Sequence, residues 1–344
     1  MLKIAVILGG MSSEHDISVI SGKSILKNLD KKKYEIFPIY ISKNGEWFEY
    51  SNLKPIDNIV KYLSKMDCIF PVLHGLYGED GTIQGMLEMI KIPYVGCKVL
   101  SSSIAMDKAY TKIVFDKAKL NQAEYIYIKK IDNNLIYIDD NFNEYKLNIT
   151  QIIDKILEKL SFPVFVKPSN SGSSIGVNKA NNKNELKNNI ENAAKYDRKI
   201  LIEQSIIGKE VECAVIGNED VIATCVGEII PVDNFYSYDS KYKNSESKTK
   251  IPAQIENEII NKIKSMAIKA FKAIDGNGLS RVDFFVEKDT NKIYINEINT
   301  MPGFTNISMY PKLLEYEGVT YKDLLDKLIN LALLKNNIEK STII

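Results

Sequence analysis

The chain has 344 residues, 45% of them hydrophobic and 26% charged, and a formal net charge of +1. That length accommodates two or three cores, and the composition is that expected of a soluble globular protein. A balance so near neutrality gives no electrostatic basis for binding nucleic acid or an anionic membrane surface, and no apolar run reaches the length of a membrane span.

The first hundred residues alternate strand and helix signals. Residues 3–8, 34–41 and 67–73 are apolar and β-rich, and 18–29 and 82–90 carry helical spacing. Such alternation predicts a parallel sheet with helices on its faces, with ligands collecting at the carboxyl ends of the strands. Two polar clusters stand at those ends, Gly9-Gly10-Met11-Ser12-Ser13-Glu14 and His74-Gly75-Leu76-Tyr77-Gly78-Glu79-Asp80-Gly81. The apolar start runs straight into Gly9-Gly10, too short a stretch for a signal peptide. Glu14 lies where a helix begins, a position that favours a carboxylate. It reads as a simple helix-start acid or as an anchor for a substrate ammonium. His74 reads as structural or as part of a ligand site at the same sheet edge.

A helix is predicted over 101–119. It carries Lys108, which by itself reads as a surface lysine. A polar hairpin or insertion follows over 133–148, then a helix over 152–160 and a strand over 163–167. The glycine-rich loop 168–176 comes next, followed by a strand over 175–178, a helix over 183–196 and a strand over 199–203. In Ser169-Asn170-Ser171-Gly172-Ser173-Ser174-Ile175-Gly176 small residues let successive backbone N–H groups converge on an anion. Lys167 would add a point charge at a phosphate. Walker A spacing is absent, and alone such a run is as readily a plain turn. Beside a carboxylate cluster it becomes a candidate nucleoside triphosphate site. Glu203 and Glu210 stand at strand ends, as surface acids or as contacts to a nucleotide's base and ribose.

Strands over 210–216 and 221–226 open the last third. Residues 233–250 are polar and rich in Ser, Tyr and Lys; so long a loop is usually a functional lid or a linker. Helices over 255–274 and 321–334 and a frayed tail over 335–344 complete the chain, without internal repeats. Cys68, Cys97, Cys213 and Cys225 are scattered, as free thiols of a reducing cytoplasm are. With only His15 and His74 as histidines, no zinc site is expected.

The densest chemistry lies between residues 281 and 299. Two β-runs, 281–286 and 293–299, are joined by a turn at Asp289-Thr290-Asn291. Alternation puts Arg281 and Asp283 on one face, and Glu297 and Asn299 on one face. Folding about the turn sets Asp283 opposite Glu297. Facing like charges are unfavourable on paired strands. Either this is a solvated sheet face with its charges pointing at water, or the two carboxylates and an amide oxygen bind a hard divalent cation, Mg²⁺, around which they become favourable. Only Arg198 and Arg281 are arginine in a chain that otherwise uses lysine; an arginine within a strand points to a need for a planar, permanently charged fork. Gly303, in the loop beyond, offers an N–H to a developing oxyanion.

Together these motifs resemble the D-alanine–D-alanine ligases of the ATP-grasp superfamily over nearly the whole chain. The resemblance is carried by Gly9-Gly10-x-Ser12-x-Glu14, by His74-Gly75-x-x-Gly78-Glu79-Asp80-Gly81-Thr82-x-Gln84-Gly85, and by Met106-Asp107-Lys108. It continues through Lys167-Pro168, Gly172-Ser173-Ser174-x-Gly176, Lys241-Tyr242, Arg281-x-Asp283 and Glu297-x-Asn299-Thr300-x-Pro302-Gly303-x-Thr305. It implies an α/β chain with an N-terminal Rossmann-like (pre-ATP-grasp) parallel-sheet domain over 1–98. A central ATP-grasp subdomain over 99–205 and a C-terminal one over 206–344, with the lid 233–250, would follow. It implies that Asp283, Glu297 and Asn299 hold two Mg²⁺ ions, with Mn²⁺ as a substitute. Lys108, Lys167, Ser173, Ser174 and Lys241 would grip ATP phosphates, and Glu203 and Glu210 the adenosine. Glu14 would bind the ammonium of the first D-alanine, with His74 nearby. Arg281 and the Gly303 N–H would stabilise the tetrahedral centre, Ser308 and Met309 would contact the second D-alanine, and Tyr242 would join Glu14 and Ser173 in closing the site. The implied product is D-alanyl-D-alanine for peptidoglycan precursor synthesis, made by a cytoplasmic homodimer through an acyl phosphate.

Relatives in vancomycin resistance use D-lactate or D-serine as acceptor. The Lys241-Tyr242 pair speaks against D-lactate and leaves D-serine open. Two other readings are another ATP-grasp carboxylate–amine ligase, against which the Glu14 and His74 loops speak, and a non-catalytic nucleotide-binding module. The latter predicts loss of a metal ligand or of Arg281, and none is missing.

Overall fold

A computed structural model describes residues 1–230 and 248–342. Lys241, Tyr242 and the predicted lid up to residue 247 lie outside the described residues.

The described residues form three sheets. In the first, β1 (Leu2–Gly9) runs parallel to β2 (Tyr34–Ile41) on one side, and antiparallel β3 (Trp47–Glu49) and β4 (Lys54–Pro55) extend that edge. On its other side lies β5 (Cys68–Pro71), also parallel. Ile4 to Leu8 are wholly buried, the continuous apolar run of a strand covered on both faces. Helices α1 (His15–Asn28), α2 (Ile59–Leu63) and α3 (Thr82–Met89) accompany this sheet. A Cβ on Gly22 of α1 would lie 2.6 Å from Leu8 Cβ, so only glycine allows the helix so close to the strand.

Two helices follow where one was predicted over 101–119. They are α4 (Val99–Met106) and α5 (Lys108–Lys117), broken at Asp107, whose backbone is extended at φ −88° and ψ 96°. The Asp107 carboxylate accepts the Tyr110 N–H (3.4 Å) and the Ser169 hydroxyl (2.6 Å), and it pairs with Lys199. Lys108 N–H donates to the Ser169 carbonyl at 3.1 Å. The break thus caps α5 and hooks its first turn onto the glycine-rich loop.

The second sheet is antiparallel throughout, with spatial order β10-β9-β11-β6-β7-β8. Its strands are β6 (Tyr125–Ile131), β7 (Asn134–Ile138), β8 (Glu144–Leu147), β9 (Val164–Pro168), β10 (Asn178–Ala180) and β11 (Lys199–Gln204). The strand after the glycine-rich loop therefore starts at Asn178, not 175. Helices α6 (Ile149–Lys159) and α7 (Lys183–Ala193) share its core; Asn148 and Gln151 form a capping box at the start of α6.

The third sheet is also antiparallel. Its order is β14-β13-β12-β15-β16, from β12 (Gly208–Gly217), β13 (Ile222–Ile230), β14 (Lys248–Lys250), β15 (Gly278–Glu287) and β16 (Ile293–Asn299). Along β12, Val211, Cys213 and Val215 join the core beneath α8 (Asn257–Ala273). The alternate residues Ala214 and Ile216 join a second core. That second core includes α9 (Met309–Tyr316), α10 (Tyr321–Thr342) and residues of β1 and β5, and so ties the first sheet to the third. Helix α9 lies where no helix was expected, and α10 continues to Thr342, into the tail expected to fray.

Asp107→Ala is expected to cost about 1 kcal/mol more than Asp107→Asn, because asparagine keeps the helix cap and both lose the Lys199 ion pair. Urea unfolding midpoints measure this. Equal losses would mean that the cap contributes nothing.

Candidate active site

The hairpin β15–β16 has the predicted register: Arg281 opposes Asn299 and Asp283 opposes Glu297, with a bulge directly after Asp283. On the other side of β15, Glu212 of β12 opposes Asp283. Three carboxylates therefore stand in a row across three strands. Arg281 answers two of them. Its Nε and Nη2 donate to the two Asp283 oxygens at 2.7 Å each, and Nε lies 3.2 Å from Glu212 Oε2. Burial opposes the guanidinium's charge, but Asp283 and Glu212 outweigh it and hold Arg281 protonated well beyond its ordinary range. Asn299 Nδ2 donates to Asp283 Oδ2 at 3.1 Å, which turns the amide oxygen away from that carboxylate.

A cavity of about 90 Å³ lies beside this row, and Glu14, His74, Glu79, Lys108, Ser173 and Arg281 are among its walls. Glu14 precedes α1 and accepts the Ser173 hydroxyl. A Cβ on Gly75 or Gly172 would fall 2.5 or 2.4 Å from Glu14 Oε2; both loops reach the carboxylate because they carry glycine there. His74 is buried, with Nδ1 3.1 Å from the Met301 carbonyl and Nε2 3.0 Å from Ser21 Oγ. Burial pulls its pKa down against the pull of Glu14, which favours the neutral ring.

Glu79 was part of a sequence motif without an assigned role. Here it accepts the N–H groups of Gly75 (2.6 Å) and Met301 (3.3 Å), which ties the histidine loop to the loop after β16. Burial, with Glu14 nearby, pushes its pKa up to about 8. The sequence signal was an acid placed within a glycine-rich loop at a ligand-binding sheet edge.

Gly303 lines the same cavity. Ser308 turns back into its own loop: its Oγ accepts the Thr305 N–H at 3.0 Å and lies 2.8 Å from Thr305 Oγ1. The Met309 side chain is buried in the core against Gly227. The structure therefore does not bring the Met309 side chain into the cavity, and any contact from this position comes from the backbone at the start of α9. The loop is held by the Tyr321 hydroxyl, which donates to the Phe304 carbonyl at 2.6 Å, and by the Phe304 N–H donating to Ser21 Oγ at 3.3 Å.

A second cavity, of about 550 Å³, opens between the second and third sheets. Lys167, Ser174, Glu203 and Glu210 line it, and Lys108 and Glu297 line both cavities. Lys108 Nζ donates to the Ser171 carbonyl at 2.6 Å, and Ser173 and Ser174 are both left-handed, at φ 51° and 60°. Glu203 is buried, which would raise its pKa; Lys112 and Lys167 outweigh that and hold it down at about 2.

A larger cleft between two antiparallel sheets, joined at a row of acids to a small cavity under a parallel sheet, is the architecture of an ATP-grasp enzyme. Family models described as the D-ala D-ala ligase N-terminus and C-terminus match residues 3–97, in two overlapping segments (3–62 and 53–97), and residues 114–330. The chain belongs to the D-alanine–D-alanine ligase family. The D-alanine–D-alanine ligase of Acetivibrio thermocellus is 48% identical over 375 residues, covering 97% of this chain and 96% of that one. The Clostridium acetobutylicum enzyme of that name is 47% identical, covering 97% and 99%. Among solved structures, the D-alanine-D-alanine ligase from Coxiella burnetii has a TM-score of 0.83 at 32% identity, with 99% and 97% of the chains covered. The VanG D-Ala:D-Ser ligase from Enterococcus faecalis has a TM-score of 0.84 at 34% identity, covering 96% and 99%. The Bacillus anthracis D-alanine–D-alanine ligase complexed with ATP has a TM-score of 0.77 at 30% identity, covering 98% and 100%.

Because the Glu79 pKa rises from an ordinary 4.5 to about 8 on folding, the folded state binds the extra proton between those values. This group's contribution to stability therefore falls as pH rises through that window. Glu79→Gln keeps the side chain's shape and removes this fall, so its melting temperature should gain on that of the unaltered protein between pH 5 and 8. A constant difference would show that Glu79 does not titrate there.

Proposed function

We propose that the chain joins two D-alanines into D-alanyl-D-alanine at the cost of ATP, for peptidoglycan precursor synthesis. The observation that carries this reading is the pair of cavities that share Lys108 and Glu297, the larger lined by Lys167, Ser174, Glu203 and Glu210 and the smaller by Glu14, His74 and Arg281. In the first step the carboxylate of one D-alanine attacks the γ-phosphate of ATP; the new O–P bond forms as the bond to ADP breaks. In the second, the deprotonated amine of the other D-alanine attacks the acyl carbon, and inorganic phosphate leaves.

Glu14 anchors the ammonium of the first D-alanine, fixed by Ser173 and by the two glycine-bearing loops around it. Arg281 faces the reacting carboxyl, and the Gly303 N–H receives the oxyanion of the tetrahedral centre. Ser308 and the backbone N–H of Met309 receive the acceptor's carboxylate. Lys108, Lys167 and the left-handed Ser173-Ser174 pair hold the phosphates, and Glu203 and Glu210 the adenosine. Asp283, Glu297 and the Asn299 amide oxygen form a hard-oxygen donor set suited to Mg²⁺. Two such ions would neutralise the phosphate charge. Phosphoryl transfer then needs little beyond alignment. The acyl phosphate must be kept from water, the role proposed for the 233–250 segment with Lys241 and Tyr242. No described helix is long and apolar enough to cross a membrane, and a cytoplasmic homodimer completes this reading.

A second reading, D-serine as acceptor, is favoured by the likeness to the VanG D-Ala:D-Ser ligase at 34% identity. The D-alanine–D-alanine ligases at 47–48% identity favour the first. Mass spectrometry of the product formed from ATP and D-alanine, with D-serine, D-lactate or L-alanine as competing acceptor, decides between them. D-alanyl-D-alanine is expected to dominate; ATP binding without any dipeptide would contradict the reading.

Arg281→Lys is expected to lower kcat by roughly 100-fold or more, the scale of a lost oxyanion contact, because an ammonium cannot span Asp283 and Glu212 as the planar fork does. Steady-state ADP release measures it. Near-normal turnover would show that a point charge suffices.

A further inference from the structure

At the floor of the larger cavity three charged side chains meet, and only two of them face it. Glu203 pairs through one oxygen with Lys112, at 2.5 Å, and through the other with Lys167. The Lys167 side chain is 16% exposed and lines the cavity. The Lys112 side chain is 3% exposed and lies behind the cavity wall on α5, with Gln122 Oε1 at 3.5 Å and its ammonium 5.3 Å from the centre of the Tyr125 ring. A ligand in the cavity therefore meets Lys167 and Glu203 but not Lys112.

An ammonium so deeply buried is costly unless it is paired, and Glu203 is its ion-pair partner. The consequence falls on Lys167. Were Glu203 held by Lys167 alone, that lysine could not turn to an anion in the cavity without stranding a buried carboxylate. With Lys112 in place, Glu203 remains neutralised when Lys167 leaves.

We propose that Lys112 is a positioning residue. It is a counter-ion of Glu203 that stays out of reach of the ligand, which frees Lys167 to hold the phosphates of the nucleotide. The proposal rests on the reading of Lys167 as a phosphate ligand given above. When Lys167 moves to the phosphates, the remaining Lys112–Glu203 pair stays electrically balanced, and the carboxylate keeps its capacity to accept a hydrogen bond from the base.

The test uses the full chain and magnesium tripolyphosphate, which lacks base and ribose and so reports the phosphate grip alone. Its affinity is measured by titration calorimetry, with melting curves as the check on folding. Lys112→Met should weaken it about tenfold, the scale of one charge-assisted hydrogen bond, because Lys167 is then retained by Glu203. Glu203→Gln and the double variant K112M/E203Q should bind it at least as tightly as the unaltered chain. K112M should also raise the ATP KM while changing the D-alanine KM by less than about twofold; a merely structural role would move both. If K112M does not fold, the double variant decides, since it leaves no buried unpaired charge. Unchanged binding in K112M, or a double variant weakened tenfold, would overturn the proposal. Lys167→Met separates the two readings. If it binds tripolyphosphate normally, the phosphate role of Lys167 falls and takes this proposal with it. If Lys167→Met weakens binding and K112M does not, only the role of Lys112 falls.

Discussion

The site depends on one arrangement of charge: Glu212, Asp283 and Glu297 abreast on three neighbouring strands, with a single guanidinium forked into the middle carboxylate. Like charges at facing positions of a sheet repel, and here the strands cannot slide apart to relieve them. A one-residue slip would turn the apolar Val282, Phe284 and Ile298 out of the core. Hydrophobic burial on one face thus enforces electrostatic crowding on the other. Arg281 offsets that crowding from the middle strand, bonded to Asp283 and close to Glu212. Stability and chemistry are set by the same register.

The first sheet contributes through loops. Glu14 is reached from two directions by chain segments that carry glycine at the point of approach, Gly75 and Gly172. The His74 ring and the Glu79 carboxylate fasten the loop after β16 to the loop after β5. The small cavity is therefore assembled from all three sheets. The shared core of the first and third sheets, built around α9 and α10, gives that assembly a rigid base.

Much of this was legible in the sequence for a definite reason. Strand alternation is strict, so the faces of Arg281, Asp283, Glu297 and Asn299 followed from their spacing and one turn. Helical periodicity is more forgiving. Residues 101–119 kept their apolar spacing through a break whose only local sign was an aspartate with its N-cap partner three residues on. Ser308 and Met309 are adjacent in sequence, yet one side chain folds back on Thr305 and the other enters the core, because a helix begins between them. Lys112 owes its character to burial and to Glu203, a partner distant in sequence, which no local pattern encodes; Glu79 stood in a legible glycine-rich loop, but its bond to Met301 spans 222 residues. Lys241 and Tyr242 fall outside the described residues.

Mn²⁺ binding, followed by electron paramagnetic resonance with and without ATP, reports on whether the third sheet holds the nucleotide's metal. Asp283→Asn and Glu297→Gln should each abolish most of the ATP-dependent Mn²⁺ signal in protein that circular dichroism shows to be still folded. Full retention of that signal in both variants would contradict the claim that the paired strands of the third sheet hold the nucleotide's metal.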